Sequence, residues 1–424
     1  MHVTIKIMAI TACAAALLAG TGGAQILPQN PGVILPPVSA IPNDAIGAVR
    51  SELQAAQQNV TELAQNRVNA LRALVSQSQG QLEMTTQGPA VRGEIIAVDP
   101  APAALTVAVA AGLTIKSDQE IAGLGLRTIT FSAPVGVSLD RTLKFLKHAS
   151  PAGVFTANHI YVRAGKADSA APASLLQRGD AAGGIGMIDG GVAAHPTFSG
   201  AVEQRGFVKA SPAASAHGTA VASLIVGVGI IRGPAPTAPL LVADVYGAEK
   251  TGGNALVIAQ ALGWMIERKA PVIAMSLVGP PNALLERAIR SAQGRGAIIV
   301  AAVGNDGAAA PPSYPASYPG VIAVTAVDKR NHVLIEAGHS LHVDFAAPGA
   351  DMSAASVSGG ATIVRGTSFA APLVAALAWR AAKSGNADPK AVLSRLAVDL
   401  GTPGVDPVYG NGLLCGACRT ILPK

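Results

Sequence analysis

Aromatic residues are scarce, with Phe, Trp and Tyr making up 3% of the 424-residue chain, so the base-stacking platforms of a nucleic-acid binder are lacking. Charge is scarce as well: 13% of residues are Asp, Glu, Lys or Arg, and the formal net charge of +6 gathers into no basic run. These shortages argue against nucleic-acid partners and a basic membrane footprint. Cysteine is limited to three residues. After the N-terminus no stretch offers about 18 apolar residues free of a glycine or a polar motif, so no transmembrane anchor is expected. His148, His159, His332, His339 and His342 show no paired zinc-ligand spacing. The glycines between Gly183 and Gly191 lack the Gly-x-Gly-x-x-Gly pattern of a dinucleotide site.

What remains is abundant small and aliphatic material. Half of the residues are hydrophobic and 47 are glycine, so a core must be built from Ala, Val, Leu and Ile, which suits a layered α/β protein. Lys6, the apolar stretch Ile7 to Leu18 and the small residues up to Ala24 have the layout of a secretory signal peptide, expected to span 1–24 and to direct export to the periplasm or the exterior. Ile10 to Cys13 imitates a lipoprotein signal, although the apolar run before Cys13 is short for one. Cys13 would leave with the signal. Cys415 and Cys418 would then most simply close a small disulfide, since a zinc half-site lacks its other ligands and no thioredoxin-like setting surrounds them.

Residues 25–42, rich in Pro and Gly, read as an irregular leader. Apolar positions stepping by threes and fours from Ile46 through Leu63, broken at Arg67 and resumed at Leu74, predict a long helix over 43–83. Two roles stay open for it, docking on its own protein or pairing with a partner helix. Residues 92–165 alternate short strand and helix patterns and read as a small α+β domain, with strands at Glu94 to Val98, Arg127 to Phe131 and His159 to Val162. Residues 166–182 read as a linker.

From 183 to 424 the rhythm is strand then helix. Near-continuous apolar runs at Ile185 to Ile188, Leu240 to Val245, Val272 to Ser276, Ala297 to Ala302, Val321 to Ala326 and Val343 to Phe345 are those of strands covered on both faces. The intervening helical spacings predict a doubly wound, mainly parallel sheet, whose chemistry gathers at the carboxyl ends of the strands.

Three motifs stand at such ends: Gly186 to Gly191 around Asp189, His217-Gly218-Thr219, and Gly366-Thr367-Ser368. A serine hydroxyl is a weak nucleophile until an imidazole takes its proton, and the imidazole needs a carboxylate to fix its tautomer. Singly, each residue has an ordinary explanation: a strand-end turn, a helix-start histidine, a helix cap. Together and in this order they resemble the subtilisin-like serine proteases, whose triad runs Asp, His, Ser along the chain. Val272 to Leu277, Val300 to Asn305, Tyr314 to Pro319 and Ala346 to Gly349 extend the resemblance over about 183–385.

The resemblance implies a secreted serine endopeptidase acting on polypeptides through an acyl-enzyme, with Asp189, His217 and Ser368 as the triad and Asn305 with the Ser368 backbone N–H as the oxyanion hole. It implies Ser276 and Leu277 as an edge for substrate, and Ala302, Val303 and Gly304 as the primary pocket with Ser313 near its base. An apolar preference would follow, softened by Asp306 at the rim. No cofactor is required, and the structural calcium common in the family finds no Asp-rich loop here. The preceding domain would be a propeptide that inhibits intramolecularly, its last strand leading into the groove. Departures from the family pattern are Ala220 and Val278-Gly279, the valine replacing a glycine in the groove, and the absence of a histidine after Ser368. An idle, peptide-binding scaffold is the competing reading, its support being Val278.

Overall fold

The computed structural model describes residues 43–164, 173–247, 253–385 and 388–420. The expected signal peptide, the leader and the start of the expected linker lie outside the described residues. The chain divides into two compact units, Met1–Glu62 and Leu63–Lys424. In the first, a helix begins at Asn43; its last turns, from Leu63 to Gln77, belong to the second. The helix stops at Gln77 rather than at residue 83, because Gln79 and Gly80 both take positive φ (52° and 82°) and turn the chain into a strand.

That strand, β1 (Leu82–Met84), opens an antiparallel sheet with β2 (Pro89–Val98), β3 (Thr114–Ile121), β4 (Leu126–Ser132) and β5 (Phe155–Arg163). Helices Pro102–Ala110 and Leu139–Ala149 lie against it, and Ile95, Ala97, Phe131, Leu139 and Leu146 form their common core. The α+β unit thus starts ahead of the expected residue 92. The strand β3, TIKSDQEI, has no apolar run because nearly all of it is partly or fully exposed, and its sequence pattern gave no sign of it.

The second sheet is parallel and seven-stranded. Its strands are β6 (Ile185–Asp189), β7 (Val202–Gly206), β8 (Leu240–Asp244), β10 (Val272–Met275), β12 (Ile298–Ala302), β13 (Ile322–Val327) and β14 (Phe345–Pro348), in the order β14-β13-β12-β10-β6-β8-β7. Side chains alternate between two cores. Met187, Ala274 and Val300 pack with helices Ala216–Val226 and Ala371–Lys383, while Ile188, Ile273 and Ile299 pack with helices Ala255–Glu267 and Ala283–Gly294. This is the expected doubly wound α/β fold. The polar edge strand β7, VEQRG, has only one apolar residue to announce it. Residues 175 and 178, within the expected linker, bridge to Ala193 and Val202 and so belong to this body.

The outer face of the antiparallel sheet rests on the two helices of the second core, where Ile96, Ile121, Leu124 and Tyr161 join it. The backbones approach closely at Gly123 and Gly263, where a Cβ on either would overlap the other strand's or helix's main chain. The side chain of Asn282 caps helix Ala283–Gly294 through Leu284 and Leu285 N–H and donates to the Ala157 carbonyl of β5 at 2.9 Å. The far end of β5 pairs antiparallel with β9 (Gly253–Asn254) and β11 (Leu277–Val278), which carries residues 160–164 across the carboxyl ends of the parallel strands.

Candidate active site

Asp189 is the last residue of β6 and is fully buried. Its carboxylate accepts from Gly190 N at 2.6 Å and from His217 Nδ1 at 2.9 and 3.0 Å. His217 sits in the first turn of helix Ala216–Val226, capped by Ser215, whose hydroxyl accepts from Gly218 N at 2.9 Å. A side chain at Gly218 would collide with the backbone of Gly190 and Gly191, so the glycine after His217 lets this helix close onto the Asp189 turn. The carboxylate therefore fixes Nδ1–H as the donor and leaves Nε2 as the acceptor.

Ser368 lies in a 3-10 turn, Thr367–Phe369, that leads into helix Ala371–Lys383. Gly366 enters this turn at φ 138°, which no side-chain-bearing residue adopts comfortably. The ring of Phe369 lies 5.3 Å from that of His217. Ser276 Oγ donates to the Ser368 carbonyl at 2.9 Å and steadies the turn. His217 Nε2 and Ser368 Oγ are both buried, and neither has a hydrogen-bond partner among the described residues.

Asn305 follows β12. Its Oδ1 accepts from Thr367 N at 3.0 Å, which turns Nδ2 outward to donate to the Ala164 carbonyl. The backbone N–H of Ser368 donates to the same oxygen at 3.3 Å, and Ala164 N donates to the Ser276 carbonyl at 3.0 Å. Two donors of different origin therefore converge on one peptide oxygen beside Ser368. The residues before Ala164 continue the seat, with Arg163 opposite Leu277, Val162 opposite Val278 and Tyr161 opposite Gly253. Tyr161 is wholly buried and donates to the Pro280 carbonyl at 2.7 Å, and burial pushes its phenol well above the usual range. Its ring lies 2.5 Å from where a Cβ on Gly279 would stand, so only glycine fits there.

Of the expected pocket residues, Gly304 (φ 92°) and Ser313 meet, with Val278 beside them. The position of a Cβ on Gly304 is 3.1 Å from Val278 Cγ1 and 3.2 Å from Ser313 Oγ. Ala302 shares a core with Ala164 and Val278, whereas Val303 turns into the opposite core. Asp306 is not a free rim charge, because Arg67 holds it at 2.9 Å. Arg67 is the residue that breaks the apolar stripe of the long helix, and beside it Leu63 reaches Gly307. His195 is tied to Gly360 O and Thr197 N, apart from this cluster. Cys415 and Cys418 are joined as a disulfide. Among the described residues no three His, Cys, Asp or Glu side chains gather to hold a metal ion, and no helix is long and apolar enough to cross a membrane.

The residues that sequence reasoning passed over are Arg67, Tyr161, Arg163 and Ala164. The break in the helical stripe pointed to the first. The other three carry no motif and gain their place only through the β5 to β11 register.

A model described as the subtilase family matches residues 184–412. Subtilisin BL from Lederbergia lenta is 33% identical over 251 residues, which cover 56% of this chain and 90% of the relative. An alkaline protease from Shouchella clausii matches at the same identity over 56% of this chain and 63% of its own length. Among solved structures, fervidolysin from Fervidobacterium pennivorans superposes with a TM-score of 0.62 at 20% identity, covering 81% of this chain and 62% of that one, a likeness of fold. With a parallel sheet in this strand order and a match spanning more than half its length, the chain belongs to the subtilase family and is a serine endopeptidase of the α/β subtilisin fold.

Proposed function

We propose that Asp189, His217 and Ser368 form the charge-relay set of this endopeptidase, that Asn305 and the Ser368 N–H hold the oxyanion, and that the chain is made as a zymogen that cleaves its own Ala164–Gly165 bond. The observation that carries the reading is the Ala164 carbonyl, held by both donors next to an unpartnered hydroxyl and an unpartnered imidazole nitrogen. That is the seat of a peptide bond about to be attacked.

In this mechanism His217 Nε2 takes the Ser368 proton as Oγ bonds to the Ala164 carbonyl carbon, and the carbonyl oxygen becomes an oxyanion between Asn305 Nδ2 and Ser368 N. Asp189 holds the imidazolium through Nδ1. His217 returns the proton to the Gly165 nitrogen as the C–N bond breaks, leaving an acyl-enzyme. Water, deprotonated by His217, adds to the acyl carbon, and Ser368 leaves with its proton restored.

Residues 25–164 would then serve as an intramolecular inhibitor, with β5 lying on Ser276, Leu277 and Val278 as strand addition and Ala302, Gly304 and Ser313 enclosing the first subsite. The signal-like N-terminus and the Cys415–Cys418 disulfide support export to the periplasm or the exterior. A fluorophosphonate should label the wild-type protein at Ser368 and leave the Ser368→Ala variant unlabelled. Equal labelling of the two would defeat the assignment.

A further inference from the structure

Strand β5 not only ends in the cleft; its side chains occupy the subsites and so record which sequence those subsites hold. Ala164, immediately before the bond, is 2% exposed and belongs to the same buried cluster as Val278. The γ-methyl of Val278 stands 3.1 Å from the Cβ position of Gly304, so the two walls of the first subsite nearly touch. A subsite narrowed in this way suits a small side chain.

One residue earlier, the guanidinium of Arg163 lies over the ring of the buried Tyr246, 4.1 Å from its centroid. Its Nε is 3.8 Å from Asp189 Oδ1, an electrostatic contact beyond hydrogen-bond reach. Asp244, aligned with Asp189 on the neighbouring strand, is fully buried, and its oxygens accept from Ala213, Tyr246 and Gly247 N–H, so it braces the Tyr246 turn. A buried carboxylate and an aromatic face make a second subsite shaped for a cation, and a flat guanidinium uses the ring better than an ammonium.

We propose that this endopeptidase selects a small residue preceded by arginine: Ala or Gly just before the scissile bond, enforced by Val278, and Arg at the position before it, enforced by Tyr246 with Asp189. The inference rests on the reading of β5 as a substrate-like tail and deepens it.

The test uses fluorogenic peptides built on Tyr-Val-Arg-Ala, with the last two positions varied, and enzyme whose active sites are counted by fluorophosphonate. Cleavage after Arg-Ala should exceed cleavage after Arg-Phe, and after Glu-Ala, by about tenfold or more in kcat/KM. Val278→Gly should bring Arg-Phe to within a few-fold of Arg-Ala, and Tyr246→Leu should narrow the Arg-Ala to Gln-Ala ratio. An enzyme that labels fully yet cleaves after Phe as fast as after Ala, or is indifferent to arginine, overturns the inference and leaves the protease assignment standing. An enzyme that does not label removes the tail reading, and the inference falls with it. If either variant fails to fold, the wild-type profile alone decides.

Discussion

His159 should make the packing of the α+β unit on the parallel-sheet body sensitive to acid. The side chain is 1% exposed, on the face of β5 that meets helix Ala283–Gly294. Asn282 Nδ2 donates to its Nδ1 at 3.1 Å, and Thr85 Oγ1 lies 3.4 Å from Nε2. The Asn282 amide cannot turn over, because its oxygen accepts from Leu284 N and Leu285 N. A second proton on the ring would therefore face another donor. Burial pushes the imidazole down from 6.5 to about 4, against the opposing pull of the Asp140 carboxylate.

The folded protein thus prefers the neutral ring. The stability this contributes is fully present above about pH 6.5 and is lost as pH falls toward about 4, with a ceiling of about 3 kcal/mol from a shift of that size. Asp244, raised by its own burial, works with the opposite sign and gains on acidification. Urea unfolding of the uncleavable Ser368→Ala protein, with and without His159→Gln, cancels that contribution. The protein retaining His159 should lose up to about 3 kcal/mol more than the His159→Gln variant between about pH 7 and pH 4. Parallel curves for the two proteins would refute the reasoning.

Other consequences follow from the same geometry. Asn305→Ala removes one of two donors to the attacked carbonyl and should lower kcat by about a hundred- to a thousandfold with little change in KM, measured on a fluorogenic peptide. Tyr161→Ala empties a fully buried site on the tail and should destabilise the Ser368→Ala protein by about 3 to 5 kcal/mol in urea unfolding; a change under about 1 kcal/mol would mean that the tail is not gripped there. Arg67→Ala breaks a partly exposed ion pair and should cost at most about 1 kcal/mol. Its mark would be faster release of the N-terminal segment, followed by gel electrophoresis.

Six of the seven parallel strands were legible because they are buried on both faces and are written in largely apolar runs. The candidates Asp189 and Asn305 stood out because each follows such a run, and His217 and Ser368 because glycines mark their motifs, one of which, Gly218, is demanded by its close approach to Gly190. Strands β3 and β7 escaped because they are mostly exposed or polar, so neither needs an apolar pattern. The end of the long helix was misplaced because Gln79, not only Gly80, adopts the left-handed conformation, which composition does not announce. Asp306 looked like a free charge since its partner, Arg67, is separated from it by 239 positions. Arg163 and Ala164 have no local signature. Their role depends on which register β5 takes against β11, a choice settled by Tyr161 finding room over Gly279.

The most direct test of the central claim is intact-mass analysis of the purified wild-type and Ser368→Ala proteins. The wild type should yield one fragment ending at Ala164 and one beginning at Gly165, while the variant keeps that bond. A wild-type protein cut only elsewhere, or a variant cut at the same bond without help from wild type, would contradict the assignment of Ser368 as nucleophile and Ala164 as the residue in its grasp.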